Sequence, residues 1–323
     1  MSSVLITGAT GFIGLHLTEL FLENKFDVTV FIRKRNQFID DLEKRGVKII
    51  IGNFELTDTI KAAVENKDIV IHNAGATMAI SEQEYIKTNA QYTRNILDLL
   101  TSHQKFILIS SQAAAGPSTI DTPIPEDTIS RPVSYYGKSK LLAEKYVADW
   151  GAKNNNNYII IRPCSVFGPG DKEFFPFFKS VNRRIEPIIT GGVQRLSFIY
   201  VKDLIRAILA AAESKINGEI YFVANDELYD SKRFGEEIKK ALNIKFILKI
   251  FIPLKLLSFL IKITEIFYKK PMLLNSQKML EFKQTAWLAS NAKIKKELAW
   301  KPLYTLDQAV KETADWLLQN KLI

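Results

Sequence analysis

A tyrosine and a lysine four residues apart, Tyr136 and Lys140, form the combination in this chain best suited to acid–base chemistry. Residues i and i+4 lie on one face of an α-helix, so the helical pattern running on to Trp150 places the ammonium beside the phenol. A neighbouring cation favours the phenolate, and we therefore expect a lowered phenol pKa and proton exchange with a substrate near neutral pH. The strand-like run before them ends in Ser110 and Ser111, where a hydroxyl can hydrogen bond to a substrate oxygen.

A glycine-rich turn, GATGFIG at 8–14, lies between the apolar run at 4–7 and a helical pattern. Glycines at this spacing permit a tight turn and a close approach of the backbone to a pyrophosphate, and the helix N-terminus favours the anion. The position of the turn between a strand and a helix predicts dinucleotide binding. The residues expected to contact the cofactor here are Gly8, Thr10, Gly11, Phe12, Ile13 and Gly14.

The end of the second predicted strand is basic, with Arg33, Lys34 and Arg35, and no acid occurs before Asp40. An acid at this place would accept the ribose 2′-hydroxyl of NAD, whereas guanidinium groups bind a 2′-phosphate. The sequence therefore favours NADP(H), with Arg33 and Arg35 as its ligands and NAD(H) as the alternative. A solvated basic turn is the structural interpretation of the same residues.

The elements that position these residues alternate between short apolar strands and amphipathic helices. Nearly uninterrupted apolar runs are typical of strands buried on both faces of a parallel sheet, and their alternation with helices predicts a doubly wound α/β sheet. The predicted strands are 3–7, 28–32, 47–51, 68–72, 106–110 and 158–162.

Composition narrows the class further. The 323 residues carry a net charge of +9, one cysteine and three scattered histidines, so we expect neither a disulfide framework nor a metal site. A lone thiol and an early first strand without room for a signal peptide predict a cytoplasmic protein. The basic residues are dispersed, so we expect no nucleic-acid partner. Lysines interrupt the apolar stretch at 246–268, and no membrane span is predicted.

Motifs along most of the chain resemble the extended short-chain dehydrogenase/reductase family. The matching segments are GATGFIG, IVIHNAG at 69–75, FILISSQAAAG at 106–116, SYYGKSK at 134–140, IIIRPCSVFGPGD at 159–171 and FIYVKDL at 198–204. The resemblance implies a Rossmann fold and a catalytic set in which Ser111 orients the substrate oxygen, Tyr136 transfers its proton and Lys140 lowers the tyrosine pKa and holds the nicotinamide ribose. It also implies cofactor contacts from Asn53, Phe54, Ala74, Gly75, Ala76, Asn89, Pro163 and Val166.

Departures from the family pattern limit the reaction. Gln112 and Ala113 stand where sugar-nucleotide 4,6-dehydratases carry an Asp-Glu pair, so a dehydratase is not expected. Leu196 stands where the epimerases usually carry a diphosphate-binding arginine. Arg195 is one residue away, which in a strand points to the opposite face unless a bulge restores the direction. An amide, Asn53, replaces a usual acid near adenine.

We predict a dinucleotide-binding domain over 1–230, with part of the substrate lobe inserted around 168–195, and a smaller, mostly helical substrate lobe over 231–323. Residues 244–290 read as helical without a strand partner. A helix over 253–270 has a wide apolar face and a lysine-rich stripe, which favours burial against the lobe. A lining for an apolar pocket, or contact with an anionic membrane surface, is the less favoured alternative.

The sequence thus predicts an NAD(P)-dependent oxidoreductase that interconverts a secondary alcohol and a carbonyl. The basic strand end and the missing arginine resemble the dihydroflavonol-reductase and 3β-hydroxysteroid-dehydrogenase branches. A nucleotide-sugar epimerase and a non-catalytic dinucleotide sensor remain alternatives. The expected partner is a small-molecule substrate, and a homodimer through helices near 89–102 and 136–150 is expected by resemblance.

Overall fold

A seven-stranded parallel sheet organises the chain, in the strand order β11-β6-β5-β4-β1-β2-β3. The computed structural model describes residues 2–192, 195–268 and 270–323. Neighbouring strands β5, β4 and β1 lie at the centre of the sheet, and their carboxyl ends meet at one edge. This is the edge at which open α/β sheets bind ligands.

The strands are β1 Ser3–Thr7, β2 Asp27–Ile32, β3 Lys48–Ile51, β4 Ile69–His72, β5 Lys105–Ile109, β6 Tyr158–Pro163, β7 Ser165–Phe167, β8 Ile185–Thr190, β9 Arg195–Leu196, β10 Phe198–Tyr200, β11 Glu219–Val223, β12 Tyr229–Asp230, β13 Leu248–Pro253 and β14 Ala286–Trp287. The helices are α1 Phe12–Glu23, α2 Gln37–Lys44, α3 Thr57–Val64, α4 Glu82–Tyr85, α5 Tyr92–Leu97, α6 Gln112–Ala115, α7 Tyr135–Asn154, α8 Phe175–Asn182, α9 Val201–Glu213, α10 Ser231–Ala241, α11 Leu254–Phe267, α12 Ser276–Phe282, α13 Ala292–Glu297 and α14 Leu306–Gln319. A π-helical segment, Ile86–Gln91, joins α4 to α5.

The predicted doubly wound sheet is confirmed, and all six predicted strands are present with ends shifted by no more than a residue. Successive residues of each strand enter opposite hydrophobic cores, as the pleat requires: Val4 and Ile6 pack on one face of the sheet and Leu5 on the other. The first core receives side chains from α1 and α9, and the second receives Ala143 and Val147 of α7.

Two strands depart from the sequence interpretation. The seventh strand of the sheet, β11, was missing from the prediction; it adds to the edge beyond β6, and only its last three residues are buried. The prediction that 244–290 has no strand partner is wrong, because β13 pairs in parallel with β8 over six residues. This two-stranded ladder lies outside the main sheet, and its strands are far apart in the sequence, so no local pattern reveals that they pair.

The C-terminal part closes onto the first core. A capping box is present at the start of α14, where the Gln308 side chain accepts from the Thr305 N–H. Trp300, Leu306 and Val310 pack in the same core as the sheet. The division of the chain near residue 230 stays a prediction, since the hydrophobic core continues across it.

The helix predicted over 253–270 is present as α11, but the prediction that its apolar face is buried is wrong. Only Leu254 and Ile261 of this helix are buried. The remaining large apolar residues on the opposite side are exposed, with Phe259 at 61% and Phe267 at 78%. In the described residues, no helix is long and apolar enough to cross a membrane.

Candidate active site

The glycine turn packs as tightly as a phosphate-binding loop requires. Gly8 has φ +72°, a conformation that L side chains rarely adopt, and its carbonyl accepts from the Gly11 N–H at 3.0 Å. A Cβ on Gly14 would lie 2.1 Å from the Gly8 oxygen, so helix and turn are in backbone contact. No side chain caps the start of α1 and its first turn has no acid, so its first N–H groups are available to bind an anion. The residues fit a dinucleotide pyrophosphate.

The other residues of the turn follow from this geometry. Thr10 is exposed at the tip of the loop, and Phe12 and Ile13 are half-buried in the first turn of α1. The Thr7 hydroxyl, directly before the turn, accepts from the Ala74 N–H at 3.1 Å. This contact holds the loop after β4 against the phosphate loop.

Asn89 links the loop after β4 to the helix that carries the predicted catalytic pair. Its side-chain oxygen accepts from the Ala76 N–H at 2.7 Å, and its amide nitrogen donates to the Ala76 carbonyl at 3.0 Å and to the Ser139 hydroxyl at 2.9 Å. The amide is buried and satisfied on both sides. Asn89 therefore positions the 74–76 backbone at the predicted cofactor groove.

Lys140 is buried beneath this groove. Its ammonium donates to the carbonyl of Ile109, the last residue of β5, at 2.8 Å. A Cβ on Gly75 would lie 3.1 Å from Nζ, so the cation is adjacent to the backbone predicted to contact the cofactor. Burial lowers the Lys140 pKa to about 8, although Glu144 opposes the shift. A buried cation with a carbonyl on one side can hold ribose hydroxyls on the other.

Tyr136 and Ser111 come together, as the sequence predicts. Ser111 caps α6, its hydroxyl oxygen accepting from the Ala113 N–H at 3.1 Å, and the same side chain is near enough to the Tyr136 phenol to lower its pKa. Burial nevertheless raises the Tyr136 pKa above its ordinary value, and Ser111 only partly opposes this. The expected lowering of the phenol pKa is therefore wrong for the protein by itself, because desolvation outweighs the lowering effects of Ser111 and Lys278.

Ser110, the residue before Ser111, faces a different environment. Its hydroxyl donates to Glu144, which forms a buried ion pair with Arg162 at 2.6 Å. Both partners of the ion pair have side chains only 4% exposed. The alternation of a strand end thus directs one serine toward Tyr136 and the other into the protein interior.

The adenosine end of the groove contains the predicted basic and amide residues. Arg33 is exposed and forms no salt bridge with any described residue. The Arg35 guanidinium is held by Asp40 at 3.0 Å and by both oxygens of Glu43 at 2.7 Å. Three of its donor contacts are therefore already made, an arrangement that the basic spacing did not reveal.

Asn53 and Phe54 follow the end of β3, but only the Asn53 side chain is accessible to a cofactor. The Asn53 amide is half-buried and accepts from the Glu55 N–H at 3.1 Å. The Phe54 ring is buried and packs on Phe31 and Tyr92, with ring centroids 4.9 and 5.3 Å away. Phe54 can contact a cofactor only through its backbone.

Pro163 and Val166 lie at the end of β6 and in β7, at the predicted nicotinamide end of the groove. Pro163 is buried and Val166 half-buried. Between them, Cys164 is buried and its thiol pKa is raised by burial, which makes it a packing residue and not a nucleophile. His72 is likewise buried, bonded to the Thr7 hydroxyl at 2.8 Å, and its pKa is lowered to about 3 by burial.

Charged residues that the sequence analysis missed affect the pKa of the phenol. Glu173, Lys278 and Glu281 all act electrostatically on Tyr136. Lys278 contacts Glu281 at 3.0 Å, and Glu281 accepts from Ser134, the residue that caps the helix of Tyr136, at 2.7 Å. Burial alone would lower the Lys278 pKa, but Glu281 and Glu173 raise it. No local pattern identifies these residues, since α12 reaches the site only through the tertiary fold.

Arg195 points away from the position of the epimerase arginine, as the strand alternation predicts. Its guanidinium donates to Asp121 at 2.7 Å and to the Ile120 carbonyl at 3.2 Å. Leu196 packs against the first core. No bulge brings the guanidinium back, because Arg195 and Leu196 pair in register with β12 and β14.

Comparisons with known proteins agree with this geometry. The model of the NAD dependent epimerase/dehydratase family matches residues 4–224. A decarboxylating sterol-4-alpha-carboxylate 3-dehydrogenase from Candida albicans is 25% identical, over 99% of both chains. A UDP-glucose 4-epimerase from Vibrio cholerae is 24% identical, over 98% of this chain and 96% of its own. The structure of UDP-glucuronic acid 4-epimerase from Bacillus cereus with NAD has a TM-score of 0.80, at 24% identity over 98% of this chain and 99% of that one.

The buried ammonium of Lys140 predicts a pH-dependent stability. Its folded pKa of about 8 lies below the ordinary lysine value of 10.5, so between these values the unfolded chain binds more protons and stability rises with pH. We expect the free energy of unfolding of the wild type to gain about 2–3 kcal/mol over Lys140→Met between pH 7 and pH 10. Urea unfolding of both proteins at each pH measures this gain.

The matched control is Lys138→Met, two residues away on the solvent side of the same helix. Its unfolding free energy should differ from that of the wild type by the same amount at both pH values. A constant difference for Lys140→Met as well would contradict the lowered pKa.

Proposed function

The chain belongs to the NAD dependent epimerase/dehydratase family, and we propose that it is a net oxidoreductase that interconverts a secondary alcohol and a carbonyl with a preference for NADP(H). The observation that carries the proposal is the convergence of Ser111, Tyr136 and Lys140 at the carboxyl edge of the sheet. The same edge carries the phosphate loop, so the reacting groups and the dinucleotide site share one groove.

The three side chains divide the work on the substrate. When bound, the nicotinamide supplies or accepts the hydride at the substrate carbon. In the reduction, Tyr136 gives its phenolic proton to the substrate oxygen as the C–H bond forms, and in the oxidation it takes that proton back. The Ser111 hydroxyl holds the same oxygen in place. Lys140 supplies the positive charge that stabilises the phenolate after the proton has left.

The diphosphate side of the pocket favours net redox over epimerisation. An epimerase of nucleotide sugars needs a cation for the substrate diphosphate, and at this place the chain presents Leu196, while Arg195 is bonded to Asp121. The alternative is an epimerase, supported by a relative of that activity aligned over nearly the whole chain. Cofactor that exchanges freely after purification supports net redox, and tightly retained cofactor supports the epimerase.

The preference for NADP(H) rests on Arg33. It is exposed at the end of β2 and makes no salt bridge in the described part of the chain, so its guanidinium is available to a 2′-phosphate. Arg35 contributes less, because Asp40 and Glu43 hold it. No acid occupies the end of β2, where NAD-specific enzymes accept the 2′-hydroxyl.

We also propose a cytoplasmic location and a homodimeric assembly. A buried lone thiol agrees with a cytoplasmic location. A homodimer through the helices near 89–102 and 136–150 is proposed from the family resemblance. A purely sensory role is disfavoured, because holding a dinucleotide requires no proton-transfer group.

Tyr136→Phe tests the proposed chemistry. Without the phenolic proton, we expect kcat for carbonyl reduction to fall about 10²–10⁴-fold, while the dissociation constant of NADPH changes less than about twofold. Stopped-flow hydride transfer and fluorescence titration measure the two quantities. Tyr146→Phe, on the same helix and outside the site, is the matched control and should keep wild-type values. Equal activity of Tyr136→Phe and the control would remove the proposed role of the phenol.

The two serines after β5 provide a second test. Ser111→Ala should lower kcat about 10²-fold and stability only by about 1 kcal/mol, the value of a helix cap. Ser110→Ala removes the hydroxyl that donates to Glu144 in the buried Glu144–Arg162 pair. It should therefore cost about 1–3 kcal/mol of stability, with near-normal kcat per folded molecule. Kinetics and urea unfolding of both variants measure the split. The reverse pattern would assign the catalytic role to Ser110.

The cofactor preference is tested by Arg33→Ala. Loss of a charge-assisted contact to the 2′-phosphate should lower the ratio of kcat/KM for NADPH over NADH about 10–100-fold. Arg35→Ala should change the ratio less, since Asp40 and Glu43 hold its guanidinium. A wild-type preference for NADH, or an unchanged ratio in Arg33→Ala, would contradict the assignment.

A further inference from the structure

Helix α11 presents its apolar side to solvent, the reverse of an ordinary surface helix. The residues that face the protein are Leu254 and Ile261, which are buried, together with the half-buried Ser258 and Glu265. At 100° per residue these four lie within one narrow stripe. The opposite side, named here the apolar face of α11, consists of Leu256, Phe259, Leu260, Ile263, Ile266 and Phe267, all exposed.

The exposed surface extends from the helix into the strand before it. Phe246, Leu248 and Phe251 are 83%, 64% and 63% exposed. Soluble proteins rarely expose contiguous apolar patches of this kind, and such patches mark contact with another protein or with a membrane.

Positive charge borders the apolar face of α11. Lys255 and Lys262 are exposed along one flank of α11, and Arg184 lies beside the start of β13, its carbonyl accepting from the Leu248 N–H at 2.8 Å. The other exposed cations near these elements are Arg183, Lys245, Lys249 and Lys270, of which Lys249 lies 3.8 Å from the buried Glu186 carboxylate. The one acid of α11, Glu265, faces inward and accepts from the Ser276 N–H at 2.7 Å.

We propose that the apolar face of α11 and its surrounding lysines and arginines form a docking surface for an anionic phospholipid bilayer. An amphipathic helix that lies in the membrane interface has large apolar residues on one side and basic residues beside them. Phenylalanine and leucine side chains enter the acyl boundary, and the basic side chains reach the phosphates of anionic lipids.

Charge distinguishes this occupant from a second copy of the chain. A symmetric dimer would bring the same basic surface of two molecules together, so the positive charges of one molecule would lie near those of the other. Like charges across an interface cost free energy, whereas an anionic bilayer complements every one of them. The geometry also favours docking over insertion, since 14 residues of α11 extend only about 21 Å.

The docking surface adjoins a pocket. Tyr268 and Lys270, which follow α11, line a cavity of about 250 Å³ together with Asn275 and Tyr135, the neighbour of Tyr136. Resting on the proposed function, this arrangement assigns an amphiphilic substrate that enters from the bilayer. The vesicle experiment below measures binding without turnover, so failure of the docking surface and failure of the proposed chemistry are distinguishable.

Vesicle flotation of the full chain tests the proposal. With vesicles containing roughly one-third phosphatidylglycerol in phosphatidylcholine, we expect the protein to float, and with phosphatidylcholine alone to remain about tenfold less bound. Raising the salt toward 1 M, where the Debye length is about 3 Å, should release most of the protein. Recovery of all the protein in the soluble fraction with both vesicles would overturn the proposal.

Two variants separate the apolar and the charged contributions. The double variant Phe259→Ser with Phe267→Ser removes the apolar anchor and should lower binding to the anionic vesicles about tenfold or more. Lys255→Gln with Lys262→Gln should lower the preference for anionic over neutral vesicles about tenfold. Because all four side chains are exposed, circular dichroism and NADPH binding should be unchanged.

The matched control, Ile129→Ser with Leu303→Ser, removes two apolar residues that are 75% and 55% exposed elsewhere on the surface. It should float like the wild type. Light scattering decides the competing occupant: a dimer that Phe259→Ser with Phe267→Ser converts to monomer, without any vesicle binding by the wild type, would assign the face to a second copy and overturn the bilayer.

Discussion

The contact between the Lys140 ammonium and the carbonyl of Ile109 fixes the arrangement of the active site. It joins the start of α7 to the last residue of β5 at 2.8 Å, so the phenol of Tyr136, one turn earlier, comes to lie against Ser111, two residues beyond the strand. A buried ammonium is costly, and the carbonyl and the nearby Glu144 offset only part of that cost, since the Lys140 pKa stays lowered. The proposed chemistry requires a cation at this position, which accounts for its unfavourable burial.

The groove around this contact depends on backbone approach more than on side chains. Gly14 packs directly against the Gly8 carbonyl, and a Cβ added to Gly8 would lie only 2.7 Å from the Ala74 nitrogen. Side chains at these two positions would therefore push β1, α1 and the loop after β4 apart. Strand order completes the site: β5, β4 and β1 are neighbours, and each delivers one part of the groove at the same edge. The glycine turn, the backbone held by Asn89 and the serine proposed to be catalytic thereby meet, although they are far apart in the sequence.

The sequence predicts this part of the molecule well because its signals are local. Buried parallel strands appear as uninterrupted apolar runs, and a helix places Tyr136 and Lys140 on one face whatever surrounds it. Signals that arise only from the tertiary fold are not visible in the chain. Examples are β13, whose partner lies about 60 residues earlier, and Lys278, which reaches the phenol from α12. The raised Tyr136 pKa belongs here too, since burial is not readable from spacing.

Helix α11 is the clearest example of a feature that the sequence alone does not reveal. Periodicity defines the two faces of a helix, but it does not state which face the protein covers. Hydrogen bonding decides it here: Glu265 must face inward to accept from the Ser276 N–H that begins α12, and the buried Leu254 and Ile261 lie on that same side. The aromatic side of α11 therefore lies on the surface. Helix α12 also carries Glu281, which accepts from Ser134 at the start of the helix of Tyr136, so the same helix contacts both α11 and the proposed site.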